Sequence, residues 1–168
     1  MIRWQHFPKS EDATSLLKEV IKCFEKVESR IASSSHRRSS SEVLKQVRPY
    51  LESLDFRVET GKRAEQKVRV PVLFGLDGKP EKSFEVDAYH EDSRTVLEIE
   101  AGRAVTNYQF LKDFFETCIM HNVDYLALAI RKTYRKRRDF KNVLTFFDTL
   151  YASGRVSIPL KGILVIGY

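Results

Sequence analysis

Two stretches, "DYLALAI" (124–130) and "GILVIGY" (162–168), constrain the fold more than any other part of the chain. Nearly every position in them is apolar, so neither strand has a face that suits water. Such strands are stable only when covered on both faces, as parallel strands are inside a layered α/β sheet. The rest of the chain supplies the cover. Apolar periodicity gives the order helix, helix, three strands, helix, strand, helix, strand. A mixed sheet flanked by helices is therefore expected, with a three-strand meander forming one half and the two buried strands the other.

The helical segments carry their own punctuation. In "SEDATSLLKEVIKCFEKVESRI" (10–31) Ser10 fits an N-cap, and Leu17, Val20, Ile21, Phe24, Val27 and Ile31 recur at helical spacing. "ASSSHRRSSS" (32–41) reads as a mobile linker. The next helix runs through "SSSEVLKQVRPYLESL", where Ser39 and Glu42 match a capping box, with Ser41 as the alternative cap. Pro49 predicts a kink or a new start inside it. Thr106 and Gln109 match a second capping box, ahead of an apolar stripe of Tyr108, Leu111, Phe115, Cys118 and Ile119. Asp139 fits the cap of the last helix and Gly154 its end.

The meander reads as "KVRVPVLFG", "SFEVDAYH" and "RTVLEIEAG", with Pro71 marking an edge or a bulge. Its second hairpin has an unusual content. Asp87, Glu98 and Glu100 lie within strand-like apolar runs, where carboxylates are depleted. A turn at 91–94 sets Asp87 across from Glu98, and a one-residue slip would put it on the other face. Like charges opposed across a strand pair destabilise it. Two readings follow. The acids decorate a wet sheet face, or they gather to hold a hard cation such as Mg2+ or Mn2+.

Charge placement bears on that choice. The chain of 168 residues carries a net charge of +6. One strip directly after the first buried strand, "RKTYRKRRDFK", holds Arg131, Lys132, Arg135, Lys136, Arg137, Arg138 and Lys141 against Asp139 alone. That position is the C-terminal end of the sheet, where sites of open α/β folds lie. The strip fits a grip on phosphates, with Tyr134 able to stack on a base; the plainer reading is a solvated loop. Cys23 and Cys118 sit on apolar helical faces and suit reduced core positions. No run of about 18 apolar residues occurs, and the start lacks the apolar stretch of a signal peptide. A cytoplasmic protein with no membrane association and no organic cofactor is the default expectation.

Asp87, then ten residues, then Glu98-Ile99-Glu100 resembles the signature of the PD-(D/E)XK nuclease superfamily, the restriction endonuclease-like fold. The element order from residue 41 onward is similar to it as well. The resemblance leaves residues 1–35 as an extra N-terminal helix and linker, and 36–168 as the nuclease-like core. It implies metal binding by Asp87, Glu98 and the backbone carbonyl of Ile99, with Glu42 as an additional acid and Glu52 behind it. The usual lysine is replaced by Glu100, as in the Glu-x-Glu subset of BamHI-like restriction enzymes. Glu100 would then be a general base or a further ligand, and Lys112 a source of the missing positive charge. The implied function is Mg-dependent DNA endonuclease activity, with a homodimer possible. Two other functions fit the residues: a non-catalytic nucleic-acid-binding module, and an interaction subunit that docks a partner helix on residues 10–31.

Overall fold

The computed structural model describes residues 1–102 and 104–168. It is an α/β structure with a six-stranded mixed sheet between two pairs of helices. In chain order the elements are β1 (Arg3–Phe7), α1 (Ser15–Ile31), α2 (Ser40–Glu52), β2 (Arg57–Val58), β3 (Val68–Phe74), β4 (Pro80–Val86), β5 (Ala88–His90), β6 (Thr95–Glu100), α3 (Gln109–Ile119), β7 (Tyr125–Ile130), α4 (Asp139–Ser153) and β8 (Gly162–Gly167). The strand order is β1-β8-β7-β6-β5-β2, and β3 and β4 form a separate two-stranded sheet. β6, β7 and β8 are mutually parallel. β7 and β8 are buried from end to end, apart from a half-buried Tyr125.

Strand alternation divides the sheet into two cores. Ala88, Leu97, Ile99, Ala127, Ala129, Leu164 and Ile166 face α1 and α2. The alanines on this side let two long helices approach closely. Val96, Leu126, Leu128, Ile130, Ile163 and Val165 face α3 and α4, where the space is filled by phenylalanines. Phe147, fully buried, meets Phe7, Phe110, Phe114 and Phe146 with ring centroids 5.3–6.2 Å apart. Phe147→Ala should cost about 3–5 kcal/mol, since four aromatic neighbours cannot all collapse into the cavity. A shift in the denaturant midpoint of equilibrium unfolding measures it.

Several expectations change. Residues 3–7, which the apolar periodicity assigns to no element, form an edge strand antiparallel to β8. The apolar stripe of α1 is spent against the sheet and α2, so it has no face left for a partner helix. Residues 1–35 contribute side chains to both cores. Thr14, not Ser10, caps α1, accepting from Leu17 N–H. Pro49 does not break α2, which runs through it as one helix; its ring sits on an exposed face in the last turn. The "ASSSHRRSSS" segment is tied down: Ser33 Oγ donates to Tyr168 O, Arg38 Nε to Arg30 O, and Arg131 to two linker carbonyls.

The meander also divides. The chain leaves β4 at Asp87 and re-enters the main sheet as β5, so the first hairpin swings away as its own sheet. The shifts at Pro71 and Leu73 are the irregularity that Pro71 predicts. On α3 the buried face is Phe110, Asp113, Phe114 and Thr117, while Tyr108, Phe115 and Ile119 are exposed. Aromatic residues occur on most sides of this helix, so its periodicity alone did not fix the phase. Its N-cap is Tyr108 in the left-handed region, without a side-chain bond, and Gln109 donates to Asp113 instead of capping. Arg138 occupies the N-cap of α4, with Asp139 one residue inside.

Candidate functional site

The hairpin register is the one that a 91–94 turn implies. Ala88 pairs with Leu97, Tyr89 with Val96 and His90 with Thr95, which sets Asp87 across from Glu98. Asp87 itself leaves the ladder, and its Oδ2 accepts the Ile99 N–H at 2.8 Å. A side-chain carboxylate thus stands where a strand carbonyl would be. The N–H and C=O of one strand residue leave toward the same edge, so the Ile99 carbonyl also faces the Asp87 side. The Asp87 carbonyl accepts from Glu59 N–H at 2.8 Å, which fixes the backbone at the break.

Glu98 and Glu100 share the α3 face of β6, and α3 turns Asp113 toward them. Asp87, Glu98, Glu100 and Asp113 line one pocket of about 290 Å³, with Glu59, Glu85 and Glu116 at its sides. Two lysines line it too. Lys67 bonds Glu59 at 2.8 Å and lies 3.6 Å from Glu85. Lys112 bonds Glu116 at 3.1 Å. Glu42 lies elsewhere: its carboxylate accepts from Ser39 N–H and Oγ in the capping box and lines a different cleft. The additional-acid role implied for Glu42 does not match that placement. Glu52 is absent from the pocket lining as well, and pairs with Arg48 at 3.7 Å.

The electrostatics follow from crowding like charges in a half-buried place. Burial pushes Asp87 up to about 7, against the pull of the Ile99 N–H. Burial, then the Asp87 and Asp113 carboxylates, hold Glu98 well above the usual carboxylate range. Glu100 is pushed up to about 8 by burial and by Asp113 beside it. Asp113 is raised by burial, although Gln109 and Lys112 pull it down, and its Oδ2 finds no donor among the described residues. Lys112 loses to burial but is raised on balance by Glu116 and the neighbouring carboxylates. Among the described residues no three His, Cys, Asp or Glu side chains already converge on one point as metal ligands.

No protein-family model matches this chain, and no curated protein matches it. The site must therefore be read from its own chemistry.

The basic strip is divided by the fold. Arg131 is only 5 % exposed, and its Nη2 donates to the His36 and Arg38 carbonyls at 3.3 and 2.8 Å. It is a tether more than a surface grip. Lys132 donates to Met1 O at 2.5 Å. Arg137 Nε lies 3.7 Å from Asp139, and its Nη2 donates to Thr106 Oγ1. Arg135 and Lys136 form the tip of a two-residue turn, closed by bonds of 2.9 and 3.0 Å between Tyr134 and Arg137. Both tip residues have positive φ, 46° and 69°, as such a hairpin turn requires. Arg138 and Lys141 are exposed at the start of α4.

Turn and linker face each other across a cleft of about 830 Å³. A third pocket of about 310 Å³, lined by Ser39, Ser40, Glu100, Ala101, Gly102 and Tyr134, lies between that cleft and the acidic pocket and shares residues with both. Gly102 has φ 143°, and an added Cβ would lie 2.6 Å from the Tyr134 ring. Only glycine lets that ring sit over the strand end. Sequence reading missed Asp113, Glu59 and Lys67. Asp113 reads as an ordinary polar residue of an aromatic-rich helix, and the other two as scattered surface charge.

Proposed function

We propose that this protein is a metal-dependent nuclease that hydrolyses phosphodiester bonds in DNA, with the restriction endonuclease-like fold. One observation carries the reading: four carboxylates from a broken hairpin and a facing helix crowd one pocket, and a neighbouring pocket shares lining residues with both it and a basic cleft. The donor set fits a hard divalent cation. It is all oxygen, it is acidic enough to offset two charges, and its carboxylates repel one another without a counter-charge. Asp87, Glu98 and the Ile99 carbonyl would hold Mg2+ or Mn2+. Bound there, the ion would supply charge neutralisation and a more acidic water.

The chain's own groups then have separable tasks. Glu100 and Asp113 sit together with raised proton affinity, which suits taking a proton from the attacking water near neutral pH. Lys67 and Lys112 line the same pocket and would balance charge that grows on the phosphate. Arg135, Lys136, Arg138 and Lys141 are exposed and positioned to hold the backbone. The test is nicking of supercoiled plasmid with magnesium or manganese, and its loss with EDTA. No cleavage at any divalent ion concentration would end the assignment.

A second reading has its own support. Glu100 stands where the resemblance implies a lysine, and that favours a non-catalytic DNA-binding module of the same fold. Calorimetric titration with manganese separates the two readings, because the module alone predicts no heat of binding at millimolar ion.

A further inference from the structure

The wide cleft beside the acidic pocket holds none of the four crowded carboxylates. One wall is the pinned segment 33–39, and the other is the turn at 133–136. Five cations line it, Arg37, Arg38, Arg131, Arg135 and Lys136, against the single carboxylate of Glu42. That carboxylate is already engaged by Ser39. Arg131 is nine-tenths buried at the back of the cleft. Its Nη2 is spent on two carbonyls, and its Nε has no acceptor among the described residues. The buried Asp139 carboxylate feels its charge, but no acceptor meets the Nε donor, and an unpaired buried donor calls for a partner. Ser34 and Ser35 add hydroxyl donors on the same wall, and Tyr134 is held between three guanidiniums at 5.3–6.0 Å.

We propose that this cleft binds a phosphate group of the strand that is cut in the acidic pocket, and so sets where along the strand the cut falls. The inference rests on the nuclease reading for what reaches the cleft. The pocket at Ser40 and Gly102 lies between the two sites and shares lining residues with each. A strand entering through it meets the segment 33–39, which is tied across the far side by Ser33, Arg38 and Arg131. Five cations match the near-double charge of a strand-end phosphomonoester better than the single charge of an internal diester.

The test uses the full chain in EDTA and short fluorescent DNA duplexes whose ends carry 5′-phosphate, 3′-phosphate or hydroxyl. Anisotropy gives affinity as a function of salt. Wild type should bind one phosphorylated end about tenfold more tightly than the hydroxyl end. Arg135→Gln with Lys136→Gln, on an exposed turn, should erase that preference. Arg37→Gln, on the opposite wall, should weaken it. If ends make no difference but the double variant lowers the salt slope by about 2, the cleft holds internal phosphates instead. Unchanged end preference and unchanged slope in all variants would overturn the proposal. Plasmid nicking is read separately, so a protein that binds ends but never nicks counts against the nuclease reading and not against the cleft.

Discussion

Glu98→Gln should abolish metal-dependent nicking while leaving DNA binding in EDTA intact. The substitution keeps the shape of the side chain and removes the charge of the most deeply crowded carboxylate in the pocket. A metal held by one carboxylate fewer stabilises the transition state by several kcal/mol less, which corresponds to a rate loss of about 10³-fold or more. Asp87→Asn should do the same, and it also weakens the acceptor that holds Ile99 N–H. Glu100→Gln should cost less if Glu100 only takes a proton, and as much if it binds metal. Equal nicking by wild type and Glu98→Gln would remove the metal site as the cutting centre, whatever the fold.

The same variants should stabilise the metal-free protein at alkaline pH. Asp87 and Glu100 titrate near 7 and 8 in the folded state, against roughly 4 in an unfolded chain. Between those limits the folded state holds protons that the unfolded state has released. Stability from these groups is therefore greatest at acid pH and is lost as pH rises from about 4 to 8. One pKa unit corresponds to about 1.4 kcal/mol. After discounting for partial exposure, Glu100→Gln should gain about 2 kcal/mol over wild type at pH 8, roughly 4–8 °C in Tm, and almost nothing at pH 4. Millimolar magnesium or manganese should recover part of that gain in wild type at pH 8 and little of it in Glu98→Gln. Thermal melts of both proteins across pH, with and without the ion, decide it. A wild-type minus variant difference that is flat with pH would show that the carboxylates are not in conflict.

The hairpin shows how much a linear pattern can carry. Period-2 alternation and a four-residue turn are local, so the register that faces Asp87 toward Glu98 was legible before any packing was known. The capping box of Ser39 and Glu42 was equally legible, because both its bonds lie within four residues. The departure of β4 from the main sheet was not legible. It depends on an Asp87 side chain bonding Ile99, twelve residues away, in place of a strand carbonyl. Asp113 was missed for a related reason. Its value comes from the rotation of α3, which Phe110, Phe114 and Phe147 set by packing.

The apolar runs at 124–130 and 162–168 by themselves determined that this chain builds a sheet covered on both faces, because no other arrangement dries every side chain in them. The sequence alone likewise determined the acidic hairpin and the basic strip as local features. Only the tertiary structure decided how the strip is used. Burial drew Arg131 inward as a tether, left Arg135 and Lys136 at the tip of a strained turn, and turned the serine-rich segment into one wall of a cleft. Those outcomes depend on contacts between residues nearly a hundred positions apart, and no pattern along the chain encodes which of several neighbouring cations will be buried.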